Sequence, residues 1–163
     1  MNRKILGMMV VLLGTLPMAR AESEDPAVVS QVDLNRYSGL WYEIAHSPNF
    51  FQGRCERSTA EYGVRPEGGL SVLNRCYAGG KEVSNIRGVA TARDPQVPAK
   101  LKVDFGFFRR GDYWITRLAS DYSLAVVSGP GRSSIFILSR RAPMPADALK
   151  ALLADLAAEG DRK

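Results

Sequence analysis

Few residues in this chain could do chemistry. The one histidine, His46, has no cluster of cysteines or carboxylates around it in sequence, so no metal site is expected. The two cysteines, Cys55 and Cys76, are the candidate nucleophiles. A catalytic thiol needs a nearby base, and His46 is the only imidazole available. An even pair in an exported chain reads more simply as a disulfide. Closing a loop of about 20 residues would stabilise the fold by roughly 3 kcal/mol. Glu43 is either a carboxylate buried among apolar neighbours or one turned to solvent. No cofactor is expected and the chain does not read as an enzyme.

The first residues give the compartment. Arg3 and Lys4 precede an apolar run from Ile5 to Leu16, Pro17 breaks it, and Ala19-Arg20-Ala21 supplies small residues where a signal peptidase reads. Residues 1–21 are therefore expected to be an export signal, cleaved after Ala21, and 22–163 a single domain. The apolar run is short for a bilayer span. No cysteine lies near the cleavage site, so lipid attachment there is not expected. The destination is the periplasm or the medium.

The leader also carries three of the 22 basic residues and no acid, which leaves 22 − 3 = 19 bases against 17 acids in residues 22–163. The remaining charges are scattered, and no dense basic patch suggests a nucleic-acid partner.

The elements that position these groups read as short strands. Residues 22–31 are polar and look like a loose lead-in. Asp33 can cap a helical turn over Leu34 to Tyr37, which Gly39 breaks. A first strand, Leu40–Ser47, carries Trp41, large enough to plug the closed end of a small barrel if its indole N–H finds a partner. Pro48 to Gly53 forms an open connection with Phe50 and Phe51, either over a barrel mouth or tucked beneath the loop.

Further strands are expected over Arg57–Val64, Leu70–Tyr77, Glu82–Ala92, Lys100–Phe105, Tyr113–Leu118, Tyr122–Ser128 and Ser134–Arg140, separated by Gly- and Pro-bearing turns. A five-residue hairpin loop pairs Val64 with Leu70, which sets Cys76 opposite Ser58 rather than Cys55. The disulfide then needs a bulge or bend near the start of the second strand. Pro145 opens a helix with an apolar stripe of Ala148, Leu149, Leu152, Leu153 and Leu156, and Gly160 is expected to stop it. That stripe suits the outer wall of a sheet.

Three separated pieces resemble the lipocalin family: Gly39-Leu40-Trp41 after the helical turn, Ser120-Asp121-Tyr122 between the sixth and seventh strands, and Arg140 at the end of the eighth. Asp33 to Ala45, Phe51-Gln52, Ala60-x-Tyr62, Val72-x-Asn74 and Pro98 to Val103 resemble more narrowly the bacterial lipocalins of the apolipoprotein D type. The resemblance implies an all-β fold, an eight-stranded antiparallel up-and-down barrel with the helix packed outside. It implies that Arg140 packs across Trp41 in a cation–π contact. Gly39, Trp41, Asp121, Tyr122 and Arg140 would be structural. The chain ends soon after the helix, where relatives add a short strand, so an edge beside the first strand is expected to be less covered.

The resemblance further implies a small hydrophobic ligand, such as a fatty acid or lysophospholipid, inside the barrel. Matching lining positions are Tyr62, Asn74, Phe105, Tyr113 and Phe136, though each ring could equally be filling. Asn74 reads as lining, because a buried amide without a partner costs roughly 1–3 kcal/mol. Association with the outer membrane, a lipocalin-like enzyme and haem or tetrapyrrole binding are compatible with the resemblance, but no residue selects them.

Overall fold

The computed structural model describes residues 25–47, 55–107 and 109–161. Phe50, Phe51 and the leader lie outside the described residues. Eight antiparallel strands follow one another into a closed barrel: β1 (Gly39–His46), β2 (Arg57–Val64), β3 (Leu70–Ala78), β4 (Lys81–Ala92), β5 (Lys100–Asp104), β6 (Arg110–Leu118), β7 (Leu124–Ser128) and β8 (Ile135–Ser139). Each neighbours the next in sequence, and β1 pairs with β8 as well as β2. The first strand was expected to have a less covered edge; instead β8 pairs with it from Tyr42 to His46 and closes the ring.

One helical turn, α1 (Leu34–Tyr37), precedes the barrel. Asp33 caps it as its residue type predicts: Oδ1 accepts from the backbone N–H groups of Asn35 and Arg36 at 2.9 and 3.3 Å. From Asp25 onward the lead-in is not loose. Pro26 is buried, the Val29 N–H donates to the Ile115 carbonyl at 3.0 Å, and Val28, Val29 and Val32 pack on the core. A few valines in a polar stretch found an apolar wall, which composition alone undervalued.

Alternation sorts the strands into two sets. Ala60, Tyr62, Leu70, Val72, Leu101, Val103, Ile115, Ala125, Val127 and Leu138 share one core inside the barrel. Val126 and Ile137 face outward, under the second helix, α2 (Ala146–Asp161), where Leu149, Leu152 and Leu156 cover them. Leu153 was expected in this stripe but is 46% exposed. Gly160 does not stop the helix, which continues to Asp161. Arg117 holds α2 on the wall through Glu159, which also lies 3.6 Å from Arg132.

Local details moved several strand ends. The seventh strand starts at Leu124, because Tyr122 takes a left-handed φ of +61° that ladder pairing does not tolerate. The sixth begins earlier than expected, at Arg110, pairing with Asp104 across a tight turn. In β1 a bulge between Glu43 and Ala45 turns Ile44 and Ala45 toward α2.

The hairpin of β2 and β3 has the expected register, with Val64 opposite Leu70 and Cys76 opposite Ser58. Cys55 and Cys76 are bonded nonetheless, their Cα atoms 5.3 Å apart. No bulge in the β2–β3 ladder is needed. The chain bends at Glu56, before the ladder begins, and its N–H donates to the Tyr77 carbonyl at 2.8 Å.

Candidate functional site

The interior is sealed at one end. At the α1 end, Tyr37, Trp41, Leu70, Leu101 and Ile115 are at most 1% exposed. Toward the other end the inward-facing row changes. Asn74, Ile86, Phe105, Tyr113 and Phe136 are only half-buried. Among the described residues, the inward-facing row is thus less tightly buried at this end than at the α1 end.

Arg140 organises the sealed end. Its guanidinium lies 3.9 Å over the Trp41 ring. Nη1 donates to the Leu40 carbonyl at 2.8 Å, and Nη2 reaches the carbonyls of Arg36, Tyr37 and Ser38 at 2.8–3.1 Å. Those of Arg36, Tyr37 and Ser38 are carbonyls that a one-turn helix cannot satisfy itself. The Trp41 indole N–H donates to the Tyr37 carbonyl at 2.8 Å, the partner its burial demands. Gly39 has a φ of +94°, and a Cβ there would stand 3.4 Å from Arg140 Nη1. Asp121 accepts from the Ser123 N–H and hydroxyl at 3.0 and 2.7 Å, which lowers its pKa and fixes the turn. The Tyr122 hydroxyl accepts from the Asp33 N–H at 2.9 Å, and Arg36 stacks 4.1 Å over its ring.

Above this floor stands a chain of phenols. The Tyr113 hydroxyl meets those of Tyr37 at 2.7 Å and Tyr62 at 2.8 Å. Burial, first of all, raises the pKa of each, so all three stay neutral and hydrogen-bonded at neutral pH. Glu43 adds to the shift of Tyr62. Tyr62 and Tyr113 were expected to line a pocket; the structure brings them together as one network with Tyr37, which sequence reasoning missed. Only proximity across the barrel, between residues 76 positions apart, reveals it.

The wall beyond the phenols is mixed. Asn74 lies opposite Ala60 and Ile86, and its Oδ1 is buried without a donor among the described residues. Phe105 follows β5 directly, its ring against Gly88, where a Cβ would come within 2.6 Å of it. That close approach explains why a glycine sits mid-strand. Phe136 faces His46 across the β1–β8 seam, rings stacked 6.3 Å apart. Glu43 is on the inward face, its side chain 12% exposed, with Oε1 3.7 Å from His46 Nε2. Glu43 thus faces the barrel interior and not solvent.

Among the described residues no group of three metal-ligating side chains gathers, and no helix is long and apolar enough to cross a membrane. With both cysteines bonded, no thiol is left as a nucleophile.

The family pattern of a lipocalin-like domain matches residues 32–161. The chain belongs to the lipocalin family. It is 41% identical over 133 residues to the outer membrane lipoprotein Blc of Vibrio cholerae, covering 80% of this chain and 75% of that protein. It is 38% identical to temperature-induced lipocalin-1 of Arabidopsis thaliana, over 85% of this chain and 79% of the relative. Apolipoprotein D of Cavia porcellus is 36% identical, over 72% and 66%. The fold of this lipocalin is shared by insecticyanin of the tobacco hornworm Manduca sexta, at 20% identity and a TM-score of 0.62 over 83% of this chain and 76% of that one. These relatives place it among the bacterial and apolipoprotein D-type members. The disulfide fits a location outside the reducing cytoplasm.

Proposed function

We propose that this lipocalin binds a small hydrophobic molecule of the fatty-acid or lysophospholipid type in its barrel and carries or stores it outside the cytoplasm. The observation that carries the reading is the half-buried, inward-facing set Ile86, Phe105, Tyr113 and Phe136 above a sealed floor. Apolar walls with a few fixed polar groups suit a molecule that is mostly hydrocarbon. Tyr62 and Asn74 would supply the polar contacts, while Gly39, Trp41, Asp121, Tyr122 and Arg140 hold the floor. The role is binding rather than catalysis. Residues 1–21 would direct export and be removed, leaving 22–163 as one domain in the periplasm or the medium.

The test is displacement of an apolar fluorescent probe by a lysophospholipid, repeated with Ile86→Trp to fill the interior beyond the phenols. Probe binding that the lipid displaces and the tryptophan blocks supports the reading. A folded chain that takes up no probe overturns it, as does displacement indifferent to the substitution.

A further inference from the structure

One aromatic side chain stands outside the fold altogether. β5 and β6 are joined by a tight turn whose shape is fixed from within. The Phe105 N–H donates to the Arg109 carbonyl at 2.9 Å, and the Arg109 N–H to the Gly106 carbonyl at 2.9 Å. Asp104 Oδ1 accepts from the Gly106 N–H at 2.8 Å, and its Oδ2 holds Arg110 Nε at 2.6 Å. Phe107 is on this turn, 96% exposed, with a left-handed φ of +44°. Glycine or asparagine takes that conformation with less strain, and a phenyl ring in water gains nothing from packing. The barrel would be at least as stable with either of them. A rigid turn that holds a strained apolar ring out in water calls for an apolar phase outside the chain.

The neighbouring turn has a similar character. β4 pairs with both β3 and β5, so the β3–β4 and β5–β6 turns are adjacent in the ring. β1 leaves the sealed floor at Gly39, so in this up-and-down barrel both turns lie at the end away from the floor. Val83, just past the first of them, is more than half exposed. The acids near these turns are held internally. Glu82 pairs with Arg75 at 3.5 Å, Asp104 with Arg110, and Glu56 Oε2 accepts from the Gly79 N–H at 2.8 Å. Lys81, Arg87 and Arg109 are exposed and have no carboxylate partner among the described residues. Arg87 is two residues beyond Val89, which pairs with Asp104, and so stands level with Gly106.

We propose that the β3–β4 and β5–β6 turns dock this lipocalin on an anionic lipid bilayer. Phe107 enters the headgroup boundary, and Lys81, Arg87 and Arg109 face the lipid phosphates. One ring and one valine are too little apolar area for a stable protein interface. A fluid interface accepts a single ring flanked by cations, and each unpaired cation adds an attraction that salt screens. The docking does not depend on a ligand inside the barrel.

The experiment is co-sedimentation with vesicles of phosphatidylcholine alone and of phosphatidylcholine mixed with phosphatidylglycerol. The protein is purified after export, so that wild type and variants share one N-terminus, checked by intact mass. Binding to the anionic vesicles is expected to be at least about tenfold stronger, and to weaken as salt is raised. Phe107→Asn should weaken it at least about tenfold while Tm stays the same or rises. Arg87→Gln combined with Arg109→Gln should weaken it about tenfold and flatten the salt dependence. Phe107→Trp should keep the binding, with its emission quenched by brominated lipid, and provides the test should Phe107→Asn fail to fold. Trp41 and Trp114 are buried, so quenching beyond that of the wild type reports the new indole. Equal binding to both vesicles, sedimentation that Phe107→Asn leaves unchanged, an unquenched indole, or folded protein that does not sediment overturns the proposal. Each of those results leaves the binding reading standing.

Discussion

Replacing Arg140 by alanine tests how the barrel is closed. Its Nε, Nη1 and Nη2 donate to the carbonyls of Tyr122, Leu40, Arg36, Tyr37 and Ser38, at 2.8–3.3 Å. Nη2 has two protons for three of these acceptors, so the set is worth four bonds rather than five. The site is half-buried, and water can replace part of what is lost. A net 0.5–1 kcal/mol per bond, about 1 kcal/mol for the contact over Trp41, and little else gives a loss of about 3–5 kcal/mol. That is a large share of the roughly 5–15 kcal/mol that holds a domain of this size together. Urea unfolding followed by far-ultraviolet circular dichroism should show the midpoint fall with an unchanged slope, and Tm should drop by about 10 °C or more. Arg140→Lys keeps the charge but not the fork, so it should recover less than half of the loss. A loss below about 1 kcal/mol for Arg140→Ala would refute the claim that this side chain ties α1, β1 and the β6–β7 turn together.

Three further perturbations have definite outcomes. Reducing Cys55–Cys76, or replacing both by serine, should cost roughly 3 kcal/mol by denaturant titration, since the bond closes a loop of 21 residues. Tyr37, Tyr62 and Tyr113 ionise at higher pH in the fold than in the unfolded chain, so their contribution is whole below about pH 10 and is lost as pH climbs toward the folded values. Stability measured from pH 9 to 12 should fall by up to about 1.4 kcal/mol per pH unit for each phenol still protonated in the fold, and Tyr113→Phe should flatten the slope while costing about 2–3 kcal/mol at neutral pH. Gly39→Ala should cost about 1–2 kcal/mol by the same titration, because alanine is strained at a φ of +94° and its Cβ crowds Arg140.

The sequence made some of this legible and hid the rest for physical reasons. The helical turn at Leu34–Tyr37 follows from a capping aspartate and a breaking glycine, both local signals. The β2–β3 register follows from one loop length and the period of a strand, and it held through all eight paired positions. The contact of Arg140 with Trp41 came through resemblance, since no pattern in the chain links residues so far apart. The phenol network and the orphan oxygen of Asn74 depend on what faces what across the barrel, which alternation cannot supply. Glu43 stayed ambiguous because parity alone does not exclude solvent; the bulge after it, which turns Ala45 outward, was invisible in the residue types. The helix overran Gly160 because one glycine in the last turn costs only about 1 kcal/mol.

The most direct measurement is the intact mass of the folded protein, sprayed from volatile buffer after purification without detergent. One apolar molecule per chain, lost on organic extraction and regained on soaking with a lysophospholipid, is the result expected if the barrel holds a ligand above its sealed floor. A bare mass that soaking leaves unchanged, in protein whose circular dichroism is intact, would contradict it.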